Sequence, residues 1–171
     1  HVDEAEGQPA RSRYRVIERV GNRAAWVELQ PFTGRTHQLR VHMAAIGHPI
    51  VGDGKYGGAA AFLTGGISRK MHLHARRIRV DHPDEGVIDV SAELPTHFAE
   101  SLKALRVLSG ASAVIAEGEV NQLTAIRRID TAEDRYLDII GAKTAALFAA
   151  ACRIAAIVAD RSATRPRSTP M

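Results

Sequence analysis

Histidine, glycine and alanine divide this chain of 171 residues into two unlike parts. Residues 1–104 contain all eight histidines and 11 of the 14 glycines, whereas residues 105–171 contain no histidine and 15 alanines. Glycine permits tight turns, and alanine is the strongest helix former. An α+β fold is therefore predicted, with a turn-rich domain of strands and short helices at 1–104 and an α-helical segment at 105–161.

Composition and charge exclude several classes of protein. Hydrophobic residues make up 45% and charged residues 25%, which is typical of a globular protein. The net charge of +4 indicates a mild preference for polyanions. The single cysteine, Cys152, excludes an internal disulfide and favours the cytoplasm as the compartment. Residues 1–13 are polar and acidic, without the apolar core of a signal peptide, and the missing initiator methionine suggests a start inside a longer reading frame.

Two antiparallel β-hairpins are predicted in the first part. Residues 14–18 and 24–29 favour strands, and the turn signal of Gly21 and Asn22 lies between them. Residues 76–80 and 87–90 form the second pair, separated by the turn-like residues 81–84.

Between the hairpins, side chains at helical spacing predict a short helix that begins at Thr36 and ends at the terminating signal of Gly47 and Pro49. Backbone N–H groups in a first turn are free to bind an anion such as phosphate. A glycine-rich loop over residues 52–58 follows, and it does not match the phosphate-binding loop of nucleotide hydrolases. The first turn of the helix is expected to contain Arg35, Thr36, His37 and Gln38.

One long motif carries a resemblance to a known family. The motif reads Thr33-Gly34-Arg35-Thr36-His37-Gln38-Leu39-Arg40-Val41-His42. It is followed by residues 46–53, by Tyr56 with Gly57, and by residues 72–83. With these segments, residues 11–104 closely resemble the RluA-type pseudouridine synthases, which isomerise uridine in ribosomal or transfer RNA.

The resemblance implies roles for individual residues. The family uses an aspartate in a His-Arg-Leu-Asp segment as its catalytic group, and no such segment occurs in this sequence. Arg40 matches the arginine that pairs with that aspartate, and Leu39 matches an apolar position lining the uracil pocket. No metal and no organic cofactor are expected. The remaining matched positions lie near the RNA and are Arg35, Thr36, His37, Gln38 and Tyr56.

Simpler interpretations of the same residues remain open. Arg40 taken alone is a surface arginine of a helix, and Tyr56 suits packing as well as base stacking. Arg76, Arg77 and Arg79 suit phosphate contacts or a solvated strand edge. Histidine pairs such as His72 and His74 have no cysteine or glutamate that completes a metal site.

The second part is predicted to be helical throughout. Thr96 is expected to cap a helix that extends to residue 109, and residues 111–127 form the next helix. Acidic residues at 130–134 begin a long helix over residues 136–160, and residues 162–171 form a disordered tail. The uncharged run at 144–152 has nine residues, which is too short for a bilayer that needs about 20. A helix buried in a bundle, or one that self-associates, is therefore expected.

A second resemblance covers residues 106–161. Residues 116–119, Gln122 and residues 143–147 resemble trans-type polyprenyl diphosphate synthases. The family likeness places Gln122 in a cavity-lining helix and gives Lys143 and Thr144 a role in holding a diphosphate. The alternative for Lys143 is an ordinary polar residue that interrupts an apolar helix. Both Asp-Asp-x-x-Asp magnesium motifs are absent from the sequence, so these residues are expected to be vestigial.

Three functions follow from these observations. The leading hypothesis is an RNA pseudouridine synthase acting on rRNA or tRNA, truncated at its start, fused near residues 103–107 to a prenyl-synthase fragment, and inactive as this chain because the catalytic aspartate is missing. An isoprenoid-synthase remnant is the second hypothesis. A module that binds RNA weakly without catalysis is the third.

Overall fold

The structure, a computed structural model, describes residues 7–125, 134, 137 and 141–163. Two strands come first, followed by two short helices with a 3-10 turn, a second strand pair, and a long helix. A π-helical turn precedes the last helix. The bounds in chain order are β1 Ser12–Val20, β2 Ala24–Pro31, α1 Gln38–Ala45, α2 Gly54–Gly57, the 3-10 turn Gly58–Ala61, β3 Arg77–Asp81, β4 Val87–Ser91, α3 Thr96–Ala125, the π-helical turn Gly141–Ala145 and α4 Ala146–Ala163.

Both predicted hairpins are confirmed. Strands β1 and β2 pair across a connection so short that they must run antiparallel, and Gly21 in that connection has φ 62°. Strands β3 and β4 pair antiparallel, with Ile78 opposite Val90 and Val80 opposite Ile88. Since alternate residues share one face of a strand, these four apolar side chains lie together on one exposed face of the second hairpin.

Helix α1 is confirmed, but it starts later than predicted. His37 precedes it with φ 55°, the only non-glycine residue with a positive φ among those that the structure describes. A left-handed residue cannot continue a right-handed helix, so Arg35, Thr36 and His37 lie before α1 and only Gln38 lies in its first turn. At the other end, Gly47 with φ 80° closes the helix, as the sequence predicts.

Helix α3 corrects the prediction of two helices separated near residue 110. The helix is continuous from Thr96 to Ala125 and contains Gly110. The Pro95 carbonyl accepts hydrogen bonds from the N–H groups of Phe98 and Ala99, at 2.9 and 3.0 Å. Pro95 therefore occupies the capping position expected for Thr96, and Thr96 is the first helical residue.

The predicted helix over residues 136–160 is present in its described portion, with one correction. Residues 141–145 form a π-helical turn, and a regular α-helix follows from Ala146 to Ala163. The helix thus includes residues 162 and 163, which the sequence assigns to a disordered tail. The predicted helix start at 130–134, apart from helical Asp134, and the rest of the tail lie outside the described residues.

Contacts within the chain define two compact units. The first comprises His1–Arg15 and Val27–Ser101, and the second comprises Val16–Trp26 and Leu102–Met171. In the second unit, Arg106 pairs with Glu18, with Nε 2.8 Å from Oε1. The division therefore assigns the tip of the first hairpin to the unit of α3 and α4. The domain boundary between residues 104 and 105 stays a prediction, and α3 passes through that position without a break.

Strands in antiparallel pairs together with helices confirm the α+β class at this level. Among the described helices, none is both long and apolar enough to cross a membrane.

Candidate functional site

The first unit holds a buried ion pair between Arg40 of α1 and Asp53, which directly precedes α2. The guanidinium donates from Nε to Oδ2 at 2.8 Å and from its NH2 group to Oδ1 at 2.7 Å. The Asp53 side chain is 1% exposed and the Arg40 side chain 17%. Hydrogen bonding from the guanidinium is the main cause that lowers the pKa of Asp53, and the same contact raises the pKa of Arg40. Both groups are therefore charged at neutral pH.

Arg40 has a carboxylate partner in the structure, although the sequence lacks the catalytic aspartate that the family likeness pairs with it. The family likeness assigns that partner to a His-Arg-Leu-Asp segment, which the sequence does not contain. In the structure, Asp53 of the glycine-rich loop binds the guanidinium instead. The bidentate geometry holds the plane of the guanidinium in one orientation.

The turn before α2 brings Asp53 to this position. Its Oδ1 also accepts hydrogen bonds from the backbone N–H groups of Lys55 and Tyr56, at 3.2 and 3.4 Å, so that Asp53 caps α2. Gly52 before it has φ 82°, and a Cβ at that position would lie 2.1 Å from the Lys70 carbonyl oxygen. Only glycine fits a backbone that is both left-handed and this close to another segment of the chain.

Tyr56 and His37 complete the cluster around Arg40. The Arg40 guanidinium carbon lies 5.0 Å from the centroid of the Tyr56 ring. The Tyr56 hydroxyl is 3.0 Å from Nδ1 of His37, and the two rings meet edge to face. The structure thus brings together three of the predicted site residues with Asp53, a residue that the sequence analysis did not select.

Gln38 has a structural role that differs from the predicted RNA contact. Its side chain is buried, and its amide makes four hydrogen bonds. Oε1 accepts from the Thr33 hydroxyl at 2.6 Å and from the Arg35 N–H at 3.1 Å. Nε2 donates to the Arg11 carbonyl and the Ser12 hydroxyl, both at 2.9 Å. Because four hydrogen bonds use the full capacity of the amide, none remains for RNA.

The remaining predicted residues of the first unit lie apart from the cluster. Arg35 and Thr36 are exposed on the loop before α1. Leu39 lines a shallow cleft of about 320 Å³ between α1 and the hairpin, together with Tyr14, Leu29 and Ile46. Arg40 does not line this cleft, because residues 39 and 40 point about 100° apart on a helix. Leu39 and Arg40 thus face different surroundings, and the place of Leu39 in a uracil pocket stays a prediction.

The predicted diphosphate-binding residues belong to the second unit. Lys143 and Thr144 lie in the π-helical turn, and Gln122 lies in α3. Thr144 is exposed. No group of three or more His, Cys, Asp or Glu side chains suited to a metal ion occurs among the described residues.

Two features of the first unit escaped the sequence analysis, although the sequence contains a signal for each. Asp53 between two glycines is a typical capping position. Arginines at 11, 13 and 15 alternate, with Arg11 directly before β1 and Arg13 and Arg15 on one face of the strand. The structure places Arg11 and Arg13 against Phe32.

The motif and the Arg40 site define the first part of the chain as similar to RNA pseudouridylate synthases. The model of the RNA pseudouridylate synthase family matches residues 1–45, and the model of the polyprenyl synthetase family matches residues 86–169. Two family models thus match different parts of the chain, which confirms both resemblances. The polyprenyl match begins at residue 86, earlier than the predicted residue 106. It therefore also covers β4 and the start of α3.

Individual relatives support the first of these similarities. Ribosomal large subunit pseudouridine synthase D of Haemophilus ducreyi is 43% identical over an alignment covering 58% of this chain and 34% of the relative. Dual-specificity RNA pseudouridine synthase RluA of Escherichia coli is 44% identical, covering 47% of this chain and 35% of the relative. A pseudouridine synthase of Synechocystis is 41% identical, covering 60% and 31%. The chain spans about a third of the length of these curated relatives.

Proposed function

We propose that this chain acts in RNA pseudouridylation, as the part of a pseudouridine synthase that contains the family arginine and binds RNA. The observation that carries the proposal is Arg40, which lies within the ten-residue family motif and is held bidentately in a buried ion pair. Identity above 40% to several RNA pseudouridine synthases supports the same reaction class. The RNA is an rRNA or a tRNA, and the compartment is the cytoplasm.

The chain by itself is proposed to be inactive as an isomerase. Isomerisation in this family requires an aspartate at the uridine, and the sequence has no His-Arg-Leu-Asp segment. Asp53 does not replace it, because its side chain is 1% exposed and both carboxylate oxygens already accept hydrogen bonds from Arg40. A nucleophile needs a free oxygen that reaches the substrate.

Two measurements on the purified chain test this proposal. The first is the conversion of uridine to pseudouridine in rRNA and tRNA, with Escherichia coli RluA as the positive control. We expect no conversion, since losing a central catalytic group costs many powers of ten in rate. The second is RNA binding at 50 and 200 mM salt, where we expect weak affinity that falls with salt. Conversion by the chain alone contradicts the inactivity, and no binding at low salt contradicts the function.

A second candidate function rests on the polyprenyl synthetase match to residues 86–169. We propose that this segment is an isoprenoid-synthase remnant without prenyl transfer, because the sequence has neither Asp-Asp-x-x-Asp motif. The test is incorporation of labelled isopentenyl diphosphate with Mg²⁺ present. Product formation overturns the remnant interpretation.

We also propose that α4 mediates self-association of the chain. Leu147 and Phe148 on this helix are 52% and 69% exposed, and Val158 is 41% exposed. Burying apolar surface of this kind favours association.

A further inference from the structure

Two arginine side chains in the first unit lie against one exposed aromatic ring. The guanidinium carbons of Arg11 and Arg13 are 5.2 and 5.4 Å from the centroid of the Phe32 ring, and Phe32 is 49% exposed. The backbone holds this arrangement, because the Phe32 N–H donates to the Arg11 carbonyl at 2.9 Å. The Arg11 N–H in turn donates to the Thr33 hydroxyl at 2.9 Å. We call Arg11, Arg13 and Phe32 the arginine–phenylalanine patch.

The two arginines of the patch form no salt bridge within the described ranges, in contrast to Arg15, Arg40 and Arg77 of the first unit. Arg15 pairs with Glu28, Arg40 pairs with Asp53, and Arg77 pairs with Asp89. Within the described ranges, no carboxylate forms a salt bridge with Arg11 or Arg13. The aromatic ring thus orients both guanidiniums without neutralising them, and their N–H donors stay available to an anion.

Hydrogen bonds connect the patch to the family motif. Gln38, the first residue of α1, donates from Nε2 to the Arg11 carbonyl at 2.9 Å. Its Oε1 accepts from the Arg35 N–H at 3.1 Å. The backbones of Arg11 and Arg35 are therefore joined through the buried side chain of Gln38, which connects the patch to the loop before α1.

These observations suit one kind of ligand better than others. An exposed ring and guanidinium planes stack on bases, and free guanidiniums bind phosphates. A single strand offers both groups, whereas a duplex keeps its bases inside the stack. An acidic peptide satisfies the charges and leaves the ring without a partner.

We propose that the arginine–phenylalanine patch binds a single-stranded segment of RNA, with Arg11 and Arg13 on phosphates and the Phe32 ring against a base. This inference rests on the proposed function, because it assumes that the chain binds RNA. The patch holds RNA beside the family motif and does not take part in the Arg40 cluster.

The experiment measures binding of the full chain to a fluorescein-labelled 12-nucleotide RNA by anisotropy, between 50 and 200 mM NaCl. We expect R11A/R13A to reduce affinity at least tenfold and to lower the salt slope by about 1.4, because each single-strand phosphate contact contributes about 0.7. F32A is expected to lower RNA affinity about 5- to 160-fold, and F32Y is expected to retain binding through its ring. Circular dichroism verifies that each variant is folded.

Arg15→Ala is the matched control. It removes an arginine from the same face of β1 whose charge Glu28 already neutralises, so we expect less than a twofold change. Wild-type affinity of R11A/R13A and F32A for RNA overturns the patch and leaves the proposed function intact. Equal binding of the same RNA as a duplex, or of a polyglutamate peptide, overturns the single-strand assignment. Absence of binding by the wild-type chain overturns both proposals.

Discussion

The carboxylate of Asp53 binds the guanidinium of Arg40, 13 residues earlier in the chain, through both of its oxygens. The same carboxylate caps α2 by accepting from the N–H groups of Lys55 and Tyr56. One buried side chain therefore connects α1, the glycine-rich loop and α2. This double role makes Asp53 a sensitive position for the stability of the first unit.

Asp53→Ala is expected to lower the free energy of unfolding by about 2 kcal/mol or more, because it removes a helix cap and leaves Arg40 without its partner. Urea denaturation followed by circular dichroism measures the change. Glu28→Gln is the control, since it breaks the exposed Arg15–Glu28 pair and is expected to cost less than about 1 kcal/mol. Equal losses in the two variants would show that the Arg40–Asp53 pair adds no particular stability.

Acid is expected to destabilise the wild-type chain more than Asp53→Asn. The folded-state pKa of Asp53 lies below its ordinary value of 3.8, mainly because Arg40 donates hydrogen bonds to it. As the pH falls through 3.8, the unfolded chain takes up a proton first, so the stability from Asp53 is present above this pH and is lost below it.

Arg77 and Arg106 lower the pKa values of Asp89 and Glu18 in both proteins, so the difference between wild type and Asp53→Asn isolates the Asp53 contribution. Denaturation midpoints between pH 7 and pH 2.5 provide the measurement. If the midpoints of the two proteins fall in parallel as the pH is lowered, Asp53 does not contribute to the acid sensitivity.

Gly52→Ala and Gly47→Ala form a pair that separates backbone strain from steric overlap. Both glycines have a positive φ, 82° and 80°. Space is open around Gly47, so its substitution is expected to cost only about 1–2 kcal/mol from the left-handed backbone. At Gly52 the new Cβ meets the Lys70 carbonyl oxygen at 2.1 Å, so we expect a loss of several kcal/mol or no folded protein. Thermal melting measures the loss of stability in each variant. Similar losses in the two variants would contradict the close approach of Gly52 to the Lys70 carbonyl oxygen.

Gln38→Ala is expected to destabilise the chain by about 2 kcal/mol, because four polar groups lose their partner. The neighbouring Thr36→Ala changes an exposed side chain and is expected to stay within about 0.5 kcal/mol of wild type. Chemical denaturation compares the two. If Gln38 acts mainly by contacting RNA, its substitution lowers RNA affinity and leaves stability unchanged.

Phe148→Ser is expected to reduce self-association of the chain. Phe148 is 69% exposed on α4, and it contributes the largest apolar side chain of that helix. Sedimentation velocity over a hundredfold range of concentration measures the effect. Ala155→Ser, also at an exposed position of α4, is the control. A wild-type chain that stays monomeric throughout contradicts association by this helix.

Local sequence was sufficient for the elements whose signals lie within a few residues of one another. The turn at Gly21, the alternation in residues 76–80 and 87–90, and the closing Gly47 predict the hairpins and the end of α1 in their observed places. The start of α1 was predicted too early, since residue type gives no sign that His37 adopts a left-handed backbone. The predicted break between residues 109 and 111 does not occur, because a glycine within a helix costs about 1 kcal/mol, which is small compared with the packing of a 30-residue helix.

Sequence by itself determined the two family resemblances, the α+β class and the place of Arg40 within a motif. Tertiary structure decided what each polar side chain of that motif does. Asp53 pairs with Arg40, Gln38 uses its amide in hydrogen bonds to backbone groups and hydroxyl groups, and the Phe32 ring contacts two guanidiniums. Asp53 lies 13 residues from Arg40, and Gln38 lies 27 residues from Arg11, so only chain folding brings these pairs within hydrogen-bond distance. Periodicity and propensity report local backbone preference, whereas the ionisation, burial and availability of a side chain depend on atoms from distant segments.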